Sequence, residues 1–226
     1  MLNAHVDTVG VAGMERAHDP YVEDGKLYGR GACDMKGFVG IVLAAVPELV
    51  RRRLLAPIHI AISYDEELGC TGVRSLIDRV AAMPVKPALC IVGEPTLMQV
   101  VLGHKGGGLF RAVVTGSSAH SSLAPQAANA IEAAADLIVF IRELSREQSA
   151  GGCHDHAYDV PHSTLSATTI SGGAALNIIP EHCEFGFDIR ALPEVDAPAL
   201  IRRIRDHAET HLLPAMRRVA PHASIV

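Results

Sequence analysis

The sequence predicts an α/β protein in two parts, a parallel-sheet domain over residues 1–103 and a ferredoxin-like α+β domain over residues 104–226. Three observations lead there. In the first hundred residues short apolar runs alternate with segments of helical periodicity, the β-α-β order of a helix-covered parallel sheet. After about residue 103 the strands change to apolar/polar alternation, and the order becomes β-α-β-β-α-β with one sheet face uncovered. Finally, the apolar runs of the first part end beside a histidine or an acid, and in open parallel sheets ligands bind at the carboxyl ends of the strands.

Each element has its own signal. Met1 to His5 reads as the end of a strand. Residues 38–54 (FVGIVLAAVPELVRRRL) carry helical periodicity, with arginines in the last turns where they complement the helix dipole. Pro57 to Tyr64 is a β run, Gly72 to Ala82 a helix, and Pro87 to Gly93 another buried strand. In the second part Gly108 to Gly116 alternates as a half-exposed strand does. Residues 126–147 are helical. Thr164 to Ile170 and Cys183 to Leu192 are strands separated by the turn Ser171-Gly172-Gly173. Residues 195–214 form a second amphipathic helix, and His222 to Val226 a last strand. The stretch 148–162 (QSAGGCHDHAYDVPH) has no periodicity and reads as a mobile loop. No internal repeat is present.

Apolar residues make up 49% of the chain, enough for a real core, and with aromatics at 4% and no Trp that core must be aliphatic. The formal net charge of −5 speaks against a nucleic-acid or membrane-surface partner. No apolar run reaches the ~18 residues of a membrane helix, and the first residues lack the pattern of a signal peptide. Cys33, Cys70, Cys90, Cys153 and Cys183 are odd in number, widely spread and without a C-x-x-C spacing. Reduced thiols in a cytoplasmic protein are expected. Cys33 reads as a small buried hydrophobe, with a catalytic thiol as the alternative.

Four places carry chemistry. His5 and Asp7 form H-x-D at a strand end, where residues two apart point the same way, so the histidine can bind a metal while the aspartate supports it. A chance surface pair is the alternative. Asp34 lies in the glycine-flanked turn GACDMKG. It is either a helix N-cap or a carboxylate able to bridge two ions ~3.5–4 Å apart. Asp65-Glu66-Glu67 places three adjacent acids after a buried strand, and they repel one another unless cations neutralise them. One glutamate then serves a metal and its neighbour proton transfer; the alternative is a solvated loop opening an acidic helix start. Glu94 follows the next apolar run, and Pro95 fixes its extended exit. One histidine with several carboxylates suits a hydrolytic two-metal site.

These motifs resemble the zinc aminoacylase and exopeptidase family that includes N-acyl amino acid deacetylases, desuccinylases and glutamate carboxypeptidases. The likeness covers nearly the whole chain and runs through LYGRGACDMKGF (27–38), SYDEELGCTGVRSL (63–76), IVGEPT (91–96), GHKG (103–106), AHSSLAPQAANAIE (119–132) and ALNIIPEHCEFGFDIRALP (175–193). The resemblance implies a zinc-hydrolase catalytic domain, partial here, followed by a lid and dimerisation domain. It implies two zinc ions, with cobalt or manganese as alternatives, held by His5 and Glu94 on one side and Glu67 on the other, with Asp34 bridging. Asp7 would orient the site, and Glu66 would move the proton from water to the leaving amine. His120 would reach a partner subunit's site and stabilise the oxyanion, while Asn177 and Arg190 would hold a substrate carboxylate.

The implied reaction is hydrolysis of a small N-acyl amino acid, N-acetyl-L-ornithine first, by a homodimer that uses neither nucleic acid nor membrane. A desuccinylase or dipeptidase of the same family is the alternative. By family standards the chain is expected to be a fragment: it opens on the strand of His5, and no residue matches a late histidine ligand of the second zinc. Such a fragment should expose apolar sheet surface. An inactive remnant that only dimerises is therefore the third reading.

Overall fold

The computed structural model describes residues 1–226, which divide into two compact units, Met1–Val101 and Leu102–Val226.

In the first unit, strands β1 (Leu2–His5), β4 (Ile60–Ser63) and β5 (Ile91–Val92) form a parallel sheet in the order β4-β1-β5. Between β1 and β4 lie a small hairpin, β2 (Tyr21–Glu23) with β3 (Lys26–Tyr28), and helix α1 (Gly37–Arg51). Helix α2 (Arg74–Ala81) follows β4. The register sets His5 opposite Ser63 and Asn3 opposite Val92, so all three strands end at the same edge.

Three expectations change in this unit. Helix α1 stops at Arg51 because Arg52 turns to extended backbone (φ −86°, ψ 144°). The run expected as a buried strand over residues 87–93 is paired only at Ile91–Val92, and both side chains are exposed, since strand pairing satisfies the backbone without covering the faces of β5. Cys33 is exposed rather than a buried hydrophobe; within its turn Met35 takes the interior position. Ile60 and Ile62 on β4 and Leu43 on α1 are also exposed.

The second unit is an antiparallel sheet with helices on one face. Strands β6 (Gly106–Thr115), β8 (Thr164–Gly172), β10 (His182–Ala191) and β11 (Ser224–Ile225) are ordered β11-β6-β10-β8. Two short strands, β7 (Ala119–His120) and β9 (Ile178–Ile179), pair beyond the end of this sheet. The interior is built by alternation on β10, where Cys183, Phe185, Phe187, Ile189 and Ala191 are buried while His182 and Arg190 are exposed. Leu137, Ile141 and Leu144 of α3 (Ala130–Gly151) and Leu200 and Ile204 of α4 (Ala197–His207) close that face.

Asn129 accepts from the Ile131 and Glu132 amides at 3.0 and 3.3 Å, which sets the start of α3 later than the expected residue 126. The same helix extends to Gly151, so the first residues of the expected loop are helical. Strand β8 continues through Ser171-Gly172, and β9 interrupts its connection to β10 where a tight turn was expected. The expected single helix over 195–214 is α4, a wider turn over Ala208–Leu212, and α5 (Leu213–Arg217). Pro214 has no N–H to return to the Thr210 carbonyl, so regular α bonding cannot continue there. None of the five cysteines is bonded to another, and no helix is long and apolar enough to cross a membrane.

Candidate metal centre

Because β1, β4 and β5 run parallel and end together, the residues that follow them meet at one edge of the first unit. His5 is the last residue of β1 and is 2% exposed, so its ring is buried at the sheet end. Its Nε2 lies 3.0 Å from Asp34 Oδ1, 3.8 Å from Glu94 Oε1 and 3.9 Å from Glu66 Oε2. The ligand atoms of His5, Asp34 and Glu94 lie within 4.8 Å of one another, and so do those of His5, Glu66 and Glu67. No lysine or arginine forms an ion pair with any of these four acids; His5 is their only charged partner.

The hydrogen bonds around His5 give the site its polarity. Nδ1 lies 3.1 Å from the Asp7 carbonyl oxygen and Nε2 3.0 Å from Asp34 Oδ1, and both oxygens can only accept. A neutral ring has one N–H for these two acceptors, so satisfying both needs a second proton on the ring or a cation at the other nitrogen. Burial opposes a charge on the ring, but the bond to Asp34 and the charges of Glu94, Glu66 and Asp7 outweigh it and hold His5 above its ordinary pKa of 6.5. Burial, with Asp34 next in weight, raises the Glu94 carboxyl above its usual range. In both shifts the neighbouring carboxylates favour holding a proton.

Asp7 behaves differently. Its Oδ2 accepts from the Glu67 amide at 3.0 Å, while its buried Oδ1 has no hydrogen-bond partner and faces His5 Nδ1 at 3.3 Å. Burial works against its ionisation, but the amides of Glu67, Glu66 and Asp7 itself hold it below the usual carboxylate range. It therefore stays charged beside the ring. Asp34 caps no helix: α1 begins after Lys36 without a side-chain cap, leaving the carboxylate free to point at His5. Glu67 Oε1 accepts from the Val9 amide at 3.2 Å. Asp65 stands apart at the turn (φ +53°), and the first helical turn after it contains no acid, so the acidic helix start is not present.

The donor set of imidazole nitrogen and carboxylate oxygens fits a divalent cation of the zinc, cobalt or manganese kind. Cys70, whose thiol lies 3.6 Å from Glu66 Oε1, escaped the sequence reading. The Glu66–Cys70 spacing of four within a turn was the signal.

In the second unit His120 and Asn177 are brought together. His120 pairs with Ile178 across β7 and β9, and the Ser121 amide donates to the Asn177 carbonyl at 2.9 Å. His120 Nδ1 accepts from the Ser122 amide at 3.2 Å, which leaves Nε2 as the hydrogen-bearing nitrogen of the neutral ring. Arg190 is not part of this group. It lies opposite Gly107 near the far end of β10, eight residues from His182, or about 26 Å at ~3.3 Å per residue.

A profile of the peptidase dimerisation domain matches residues 102–216. The chain is 36% identical over 200 residues to an acetylornithine deacetylase of Pasteurella multocida, covering 86% of this chain and 51% of the relative. It thus spans about half the length of the curated relative it matches. Among solved structures, an M20 family metallo-carboxypeptidase from Sulfolobus solfataricus aligns over 100% of this chain and 62% of its own, at 18% identity and a TM-score of 0.67. A Staphylococcus aureus tripeptidase aligns over 100% of this chain and 56% of its own, at 19% identity and a TM-score of 0.58. These two likenesses carry the fold.

Proposed function

The chain belongs to the M20 peptidase family, and on that premise we propose that it is the metal-binding and dimerising part of an N-acyl amino acid amidohydrolase. The substrate we assign is N-acetyl-L-ornithine, hydrolysed to ornithine and acetate in arginine biosynthesis. The observation that carries the reading is the convergence of Asp34, Glu94 and Glu66 on the buried His5 Nε2 with no basic side chain to neutralise them. The acetylornithine deacetylase relative supports the substrate.

In this reading residues 1–103 are part of the catalytic domain and residues 104–226 the lid and dimerisation domain of a cytoplasmic homodimer. His5, Asp34, Glu67 and Glu94 would hold the zinc ions through one imidazole nitrogen and carboxylate oxygens. The ions would polarise the scissile carbonyl and acidify the attacking water. Asp7, ionised through the amides of residues 66 and 67, keeps the His5 ring turned so that Nε2 faces the ligand set. Glu66 takes the proton of the attacking water and delivers it to the leaving amine. His120 donates from Nε2 to the developing oxyanion. Arg190 and Asn177 hold the substrate carboxylate.

The test is hydrolysis of N-acetyl-L-ornithine against N-succinyl-diaminopimelate, with zinc content measured on the same preparation. The acetyl substrate should be preferred, and Glu66→Gln should lower its turnover by about 10²–10⁴-fold with the metal retained. Equal rates on the two substrates would sink the acetyl assignment, and preference for the succinyl substrate would move it to the desuccinylase branch. Undiminished turnover in Glu66→Gln would remove the proton-transfer role.

A further inference from the structure

The outer face of the second unit's sheet carries one guanidinium whose surroundings are built around it. Arg190 and Asp188 are two apart on β10 and therefore share a face. Arg190 Nε donates to Asp188 Oδ2 at 2.9 Å. The Asp188 side chain is 17% exposed and the Arg190 side chain 56%, so the carboxylate is sheltered against the sheet while the guanidinium reaches into solvent. Directly across the ladder stands Gly107. A Cβ there would lie 3.1 Å from Arg190 Nη1 and 3.4 Å from its Cδ, so the side chain lies over the glycine backbone. Gly107 has no left-handed backbone to justify a glycine, and the three atoms nearest to a Cβ there all belong to Arg190. On the other side Arg190 faces Thr164, which carries no charge.

We infer that Asp188 and Gly107 are positioning residues that present the Nη1/Nη2 edge of Arg190 as a preset clamp for a substrate carboxylate. The inference rests on the reading of Arg190 as the carboxylate-binding group. A guanidinium has five donors in a planar fork, and a bidentate carboxylate takes two parallel N–H groups. Asp188 occupies Nε, which fixes the plane and leaves the terminal edge unused. Gly107 removes the one steric obstacle to that orientation. Holding a long side chain in its bound geometry spares the ordering entropy that an exposed arginine would otherwise lose on binding. Lysine at 190 has no fork to orient and would gain nothing from either neighbour.

The experiment is a binding titration of the zinc-loaded full chain with N-acetyl-L-ornithine and with its carboxamide, alongside ¹H–¹⁵N spectra of the arginine side chains. Asp188→Ala and Gly107→Ala should each weaken binding of the acid by about 3–10-fold and leave binding of the amide unchanged, with Asp188→Asn intermediate. Arg190→Lys should weaken the acid by more than either. The Arg190 Nε–H resonance should shift in Asp188→Ala and persist, displaced, in Gly107→Ala, whose added methyl meets only a flexible side chain and so leaves the fold intact. If Arg190→Lys weakens the acid but neither neighbour variant does, the positioning inference falls while the carboxylate reading stands. If Arg190→Lys leaves acid binding unchanged, the carboxylate reading falls and the inference falls with it.

Discussion

The two units use apolar residues in opposite ways. In the second, β10 alternates strictly, and Phe185, Leu137, Ile141 and Leu144 are almost wholly removed from solvent between one sheet face and two helices. In the first, the buried apolar side chains are Ala4, Ala17, Met35, Val42 and Ala61, three of them alanines, while Ile60, Ile62, Ile91 and Val92 of its own sheet stay exposed. A three-stranded sheet with two- to four-residue strands cannot cover itself, whatever its hydrophobicity. What is concentrated in the first unit is charge: four acids around one histidine. One unit is thus organised by burial and the other around a cluster of acids on one buried histidine.

The comparison breaks most visibly at Phe185. Phe185→Ala should cost about 3–5 kcal/mol and lower the melting temperature of the second unit, while Val42→Ala in the first should cost only about 1 kcal/mol. Equal losses in thermal melts would deny the difference in packing.

Metal is the converse probe. Zinc at about 100 times its Kd should stabilise the first unit by roughly 2.7 kcal/mol and protect its amides from hydrogen exchange, leaving the second unit unchanged. Asp34→Asn should abolish most of that gain. Protection spread equally over both units would contradict the local-site account.

Smaller effects sharpen the picture of the second unit. Asn129→Ala removes the acceptor for two amides at the start of α3 and should cost about 1 kcal/mol, read from urea unfolding. His207 stacks on Phe140 with ring centres 3.8 Å apart. Burial, and then the charge of His211, hold its pKa below 6.5 against the pull of Asp136. A lowered folded-state pKa means its contribution is whole above pH 6.5 and is lost as the pH falls through the folded value. His207→Gln should therefore flatten the decline of melting temperature with acid below pH 6.5, and an unchanged slope would discount it.

Much of this was legible along the chain, because hydrophobic period acts over a few residues and needs no partner to be read. Period two marked β10 and β6, and period 3.6 marked α1, α3 and α4. Acids following apolar runs pointed to one edge of a parallel sheet. The fraying came where a neighbour decides. Residues 87–93 look like a core strand, yet only tertiary cover makes a strand buried, and β5 lacks it. The glycines after Ser171 look like a turn, yet β8 runs through them because β10 is there to pair with it.

The sequence by itself determined the order of elements, the two-part organisation of apolar pattern, and the set of acids that one sheet end would collect. Only the tertiary structure decided how they meet. Strand register put His5 level with Ser63 and so chose Glu66 and Glu67 over Asp65 as its neighbours. Pairing of β7 with β9 put Asn177 beside His120, although the two are remote along the chain. The reason is the same in each case: local preferences fix where a chain extends or coils, whereas distances between remote side chains follow from pairing and direction, and only the folded chain has those.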